Sequence, residues 1–158
     1  MSPQKKYLRK GGNGVTPAKI SSKGSLMETT SRLRYFVRPQ DVPPYHPANH
    51  TGTVNRRLIG AGNVGASQIE VVLGVNEKGK GALPHSHPGI EQVCYLLEGR
   101  AHAEVGGEVC ELGPGDCCFF PPGMQHVFTV VSDEPVKVLV IYSPPYAEQP
   151  ADGRQEKR

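Results

Sequence analysis

From Tyr35 to Tyr142 the chain alternates short apolar-rich runs with breaks that contain Gly or Pro. Such runs, with period-two alternation, are too short for helices and read as strands. They fall at residues 55–59, 68–74, 92–97, 100–105, 108–112, 117–120, 126–131 and 136–142. Gly106-Gly107 joins two of them as a two-residue hairpin turn. Gly113-Pro114-Gly115-Asp116 and Pro121-Pro122-Gly123 mark two further turns. Turn signals recurring about every ten residues predict an antiparallel barrel or sandwich, and a jelly roll satisfies both strand number and length. Before the first strand, Val42-Pro43-Pro44-Tyr45-His46-Pro47 predicts an extended arm, because proline removes backbone donors and fixes φ.

Composition agrees with many strands and tight turns: 19 Gly and 15 Pro stand in 158 residues, against an aromatic share of only 6%. The length suits one domain with tails. The net charge of +3 divides unevenly. Residues 1–34 hold eight Lys/Arg against Glu28, net +7, and the remainder holds ten bases against fourteen acids, net −4. The expected organisation is a basic, disordered leader over 1–34, one barrel domain over 35–146 with its arm at 35–54, and a loose polar tail over 147–158. Met27-Glu28-Thr29-Thr30-Ser31 also reads as the opening of a compact domain. The leader's bases are not interleaved with aromatic residues, so no nucleic-acid partner is expected. No apolar h-region opens the chain, and the run Val136–Tyr142 is short and interrupted by Lys137. These features predict no membrane partner and a cytoplasmic protein. Cys94, Cys110, Cys117 and Cys118 form no C-x-x-C pair and read as free thiols in strands.

The candidate chemistry lies in the histidines. His85 and His87 are two apart, so on a strand both imidazoles project from one face. Pro88-Gly89 then turns the chain, and Glu91 opens the next strand. His126 follows the Pro121-Pro122-Gly123 turn. Three imidazoles and a carboxylate make a mixed N/O set suited to one divalent ion, Fe, Mn, Ni, Co or Zn, with coordination positions left open for substrate.

The stretch Gly79-(five residues)-His85-Ser86-His87-(three residues)-Glu91, ending at Gly99, resembles the first motif of the cupin superfamily. Gly115-(five residues)-Pro121-Pro122-Gly123-(two residues)-His126 resembles the second. The resemblance covers roughly residues 70–142 and implies an all-β, cupin-type double-stranded β-helix, a jelly-roll barrel, with the metal held by His85, His87, Glu91 and His126. It implies pairing as a homodimer, with the arm 35–53 reaching across to the partner copy. One position departs from the family: the second motif usually ends in Asn four residues after its histidine, where this chain has Val130.

Other residues carry two readings each. Tyr95 shares parity with Glu91, so it is either an inward proton donor or a core tyrosine. Of Arg56 and Arg57, one faces inward, where a guanidinium could hold a carboxylate or phosphate of the substrate, unless both are solvated on an edge strand. His46 and His50 read as loop histidines, and His102 as outward-facing. Three functions of different class fit a small-molecule ligand at such a metal: an Fe-type dioxygenase, a redox-neutral isomerase, lyase or decarboxylase, and a non-catalytic ligand-binding module.

Overall fold

The structure, a computed structural model, describes residues 35–148. The leader over 1–34 and most of the tail lie outside the described residues. Eight strands follow a short 3₁₀ turn at Pro39–Asp41: β1 (His50–Ile59), β2 (Glu70–His85), β3 (Glu91–Glu98), β4 (Ala101–Val105), β5 (Glu108–Leu112), β6 (Cys117–Phe120), β7 (His126–Val130) and β8 (Val136–Ser143). They form a nearly closed barrel in the order β5-β4-β7-β2-β8-β3-β6, with β1 on β2, and each of these neighbouring pairs is antiparallel. No helix among the described residues is long and apolar enough to cross a membrane.

All eight expected strands are present, and two of them, β1 and β2, extend far beyond their sequence patterns. β2 runs on to His85, because its second half lies between β1 and β7. The polar and glycine-rich stretch Asn76–Gly81 hides this from any alternation test. Gly81 explains part of that composition. Its φ is +143°, and a Cβ there would stand 2.2 Å from the carbonyl oxygen of Phe128. Only a residue without a side chain lets β2 approach β7 this closely. β1 likewise begins at His50, so residues 50–54 belong to the barrel rather than to the arm. The arm joins it through an isolated bridge between Tyr45 and Asn55.

The inward residues of each strand change character along its length. On β7 they run His126, Phe128, Val130; on β3, Gln92, Cys94, Leu96; on β8, Tyr142, Val140, Val138, Val136. One end of the barrel is therefore polar. The other is plugged by Leu96, Ala101, Ala103, Leu112, Phe128, Val130, Val136 and Val138. Burying aliphatic side chains there contributes roughly 1.5–3 kcal/mol each. Val130, at the family's usual Asn position, is 2% exposed and belongs to this plug.

The expected loose tail is corrected at its first two residues. The backbone N–H of Ala147 donates to Glu70 Oε2 at 2.7 Å. The side chain of Glu148, 6% exposed, accepts hydrogen bonds from Tyr45 Oη and Asn55 Nδ2, both at 2.8 Å. Arg57 spans the group, pairing with Glu70 and donating from Nη2 to the Glu148 carbonyl at 2.8 Å. Buried carboxylates need such partners, and these fix the chain end against the barrel.

Candidate metal centre

His85 and His126 converge because β2 and β7 pair them directly, Cα opposite Cα. His87 lies just past the end of β2, where Pro88-Gly89 turns the chain back. Its carbonyl accepts the N–H of Gly123 at 3.0 Å, so the turn before His126 is tied to the turn after His85. The ring centroids are 4.3 Å apart for His85 and His126, 4.7 Å for His85 and His87, and 5.3 Å for His87 and His126. One ligand atom from each of the three lies within 4.8 Å of the others.

Backbone carbonyls set the tautomers. His85 Nδ1 faces Leu83 O at 2.6 Å, and His126 Nδ1 faces Met124 O at 3.0 Å. Each Nδ1–H therefore donates outward, and each Nε2 lone pair points to the shared centre. His85 Nε2 and His87 Nε2 stand 3.1 Å apart, and His126 Nε2 is buried without a partner. Burial, then neighbouring His85 and His126, pushes His87 down to about 4, and burial lowers His126 as well. Neutral imidazoles with converging lone pairs are the form that binds a cation, so the residues fit a divalent ion.

The carboxylate expected as a fourth ligand stands apart from the three imidazoles. Glu91 is exposed on the outer face of β3 and does not join the cluster. Its neighbour Gln92 turns inward, 7% exposed, with Oε1 buried and unpartnered beside the cavity. Tyr95 shares the parity of Glu91, as expected, but that parity is outward: it is 40% exposed and does not line the cavity. Arg57 spends its guanidinium on Glu70 and the Glu148 carbonyl, so its carboxylate partner is internal rather than a substrate. Arg56 pairs with Leu73 across β1–β2 and is half-buried on the opposite face. Neither arginine lines the cavity. His46 and His102 are exposed, as expected.

His50, expected in a loop, opens β1 and lines the cavity. Its ring lies 6.2 Å from that of His85, and its Nδ1 is buried without a partner. Glu148 Oε1 is 3.7 Å from His50 Nε2, yet burial, and secondarily His85, holds the imidazole down at about 4. The imidazole is therefore neutral at pH 7, and the contact is not an ion pair. Among the described residues, the buried side-chain polar atoms lacking a partner are His50 Nδ1, Gln92 Oε1 and His126 Nε2, and all three residues line one open cavity of about 490 Å³. Thr53, Asn55 and Asn76 form part of its wall, and Phe120, Phe128, Val138 and Val140 supply apolar surface. Phe120 stacks on His126 at 4.2 Å, and Tyr146 packs on His87 at 4.3 Å.

If Gln92 supports the centre, replacing it by Ala weakens metal binding about 10–100-fold, whereas Glu91→Ala leaves it unchanged. Titration of each variant with Zn(II) against a competing chelator measures both.

The sequence profile of the cupin domain matches residues 72–142. A polyketide synthase of Streptomyces cyaneus, CurC, is 30% identical over 119 residues, covering 74% of this chain and 77% of its own. The solved polyketide cyclase RemF of Streptomyces resistomycificus is 26% identical, with a TM-score of 0.61, over 73% of this chain and 81% of that one. KdgF from Halomonas shares the fold at 20% identity and a TM-score of 0.62, over 71% and 94%. With both histidine motifs seated at one end of the barrel, the chain belongs to the cupin family.

Proposed function

We propose that the barrel is a metal-dependent, redox-neutral enzyme acting on an uncharged carbonyl compound, by aldol-type cyclisation or isomerisation. One observation carries the reading: donors and wall are all uncharged. Three neutral imidazoles converge, Gln92 takes the inward place that Glu91 does not, and no residue lining the cavity is Lys, Arg, Asp or Glu. Neutral donors leave a divalent ion its full charge. An ion held by His85, His87 and His126 supplies Lewis acidity, polarising a carbonyl and acidifying the adjacent C–H. Around it, the amide groups of Asn55 and Asn76 offer neutral donors to further oxygens of the ligand, while the Thr53 hydroxyl donates to Asn76 Oδ1 and fixes that amide. Phe120, Phe128, Val138 and Val140 hold its apolar body and exclude water. A phosphate or carboxylate would meet no cationic side chain in this wall. Similarity to proteins named as a polyketide synthase and a polyketide cyclase supports the same substrate chemistry.

The Fe-type dioxygenase reading uses the same imidazoles, and one experiment separates the two. Protein loaded with Zn(II), Mn(II) or Fe(II) is given a small β-diketone in deuterated buffer, with α-proton exchange followed by NMR and oxygen by electrode. Faster exchange with Zn(II) or Mn(II) and no oxygen uptake is expected. Oxygen consumption with Fe(II) alone, and no exchange with the others, overturns the proposal.

We further propose a homodimer. The outer face of β3, β6 and β8 carries Tyr95, Leu97 and Phe119, 40%, 40% and 49% exposed, beside half-buried Val93, Leu139 and Ile141. Tyr35 and Phe36 of the arm are also exposed, at 66% and 73%. A contiguous apolar face of this kind suits a second copy. Light scattering is expected to show a dimer for the wild type and a monomer for Tyr95→Asp.

A further inference from the structure

Two of the four cysteines stand in a relation that their sequence positions do not disclose. Cys94 on β3 and Cys118 on β6 are direct Cα partners in an antiparallel ladder. Parity turns both inward, Cys94 with Gln92 and Leu96, Cys118 with Phe120. Cys94 is 3% exposed, belongs to the core and lines the cavity; Cys118 is half-buried and packs against the same core. Directly opposed residues of an antiparallel pair have Cα atoms about 4.5–5.5 Å apart, within the roughly 4.4–6.8 Å that a disulfide spans. The two remaining thiols are placed otherwise. Cys110 is exposed and opposes Ala103, and Cys117 is exposed and opposes Tyr95 on the outer face.

We propose that Cys94 and Cys118 are an oxidisable thiol pair, which a hydroperoxide closes to a cross-strand disulfide in the wall of the metal pocket. In the first step the thiolate sulfur of Cys118 attacks the peroxide. The O–O bond breaks, water leaves after taking up a proton, and Cys118 carries a sulfenic acid. In the second, the sulfur of Cys94 attacks the Cys118 sulfur. The S–S bond forms, the S–O bond breaks, and a second water leaves with the thiol proton. Two thiols and one hydrogen peroxide thus give one disulfide and two waters, with two electrons passing to the peroxide. Cys118 is the attacking partner because it is the less buried of the two. A hydrogen bond from the Cys94 thiol also draws its pKa below the ordinary thiol range. Gln92 Nε2 donates to Cys94 Sγ at 3.5 Å, so the reaction changes the partner of a side chain that lines the cavity beside His85 and His126.

The test uses the full chain carrying Cys110→Ser and Cys117→Ser, which removes only exposed thiols. After treatment with hydrogen peroxide and denaturation, free thiols are expected to fall from two to none, with the protein still a single chain on a non-reducing gel. Tryptic peptides 81–100 and 101–137 are expected to be joined through Cys94 and Cys118. A companion variant in which Cys118→Ser is added is expected to keep Cys94 as a free thiol under the same treatment. Two surviving thiols, a disulfide between two chains, or sulfinic acid at Cys118 without a cross-link each overturns the proposal. The outcome does not depend on the reaction proposed for the metal site.

Discussion

Replacing His126 by alanine is expected to lower affinity for a divalent ion more than 100-fold, a larger loss than the roughly 10–100-fold typical of outer supporting groups. The structure gives the reason for so large an effect. The Nε2 of His126 is buried without any protein partner, and its Nδ1 is held by the Met124 carbonyl at 3.0 Å. The ring is therefore fixed in one tautomer and aimed at one point before any ion arrives. Alanine removes a donor that His85 and His87 cannot replace, because the Leu83 carbonyl holds His85 while the Gly123 N–H and the Tyr146 ring hold His87. Elemental analysis of protein purified with excess Zn(II), followed by competition with a chelator, measures the loss. A His126→Ala protein that retains one tightly bound ion would contradict the assignment of the centre. Circular dichroism is expected to remain that of a β-barrel, since the apolar plug lies toward the other end.

The second large effect concerns stability. Arg57→Met is expected to destabilise the fold by about 3–5 kcal/mol, the usual cost of removing one partner from a buried charge pair. Glu70, the partner of Arg57, is 1% exposed, and Glu148, whose carbonyl Arg57 also holds, is 6% exposed. Burial raises the carboxyl pKa of Glu148 despite the hydrogen bonds from Tyr45 and Asn55, so this region already carries a desolvation cost. Losing the guanidinium strands the Glu70 charge, to which the Ala147 N–H still donates at 2.7 Å. Urea denaturation is expected to show a lower midpoint at an unchanged slope. Adding Glu70→Gln to Arg57→Met removes the stranded charge and is expected to recover much of the loss. If the single variant is as stable as the wild type, the network is not what anchors the chain end.

The strands and the three histidines were legible because each rests on local rules. Gly106-Gly107 can hardly be anything but a hairpin turn, and two His at i and i+2 announce a shared direction. The inward parity of β3 was not legible, for a physical reason. Val93, Tyr95 and Leu97 are as apolar as Cys94 and Leu96, because the outer face of this sheet is itself apolar. Alternation then has no contrast to report, and the carboxylate of Glu91 is the more obvious ligand than the amide of Gln92. A register one residue later in the first motif was the available signal. His50 was hidden by its neighbours: Pro47 and Asn49 argue for a loop, and only pairing with the far half of β2 makes it a strand. Glu148 could not be found from sequence, since its partners Tyr45 and Asn55 lie 103 and 93 residues away.

The change of character along each strand has a consequence for how such a protein can diversify. On β7, β3 and β8 the residues that face the cavity and the residues that fill the plug occupy alternate positions of the same strand, but at opposite ends of it. Substitutions at His50, Asn55, Asn76 or Gln92 rewrite what the cavity recognises while leaving Leu96, Val130 and Val136 to keep the barrel closed. The scaffold thus separates inheritance of shape from inheritance of chemistry. One barrel can be passed on intact while its mouth is rebuilt for a different molecule.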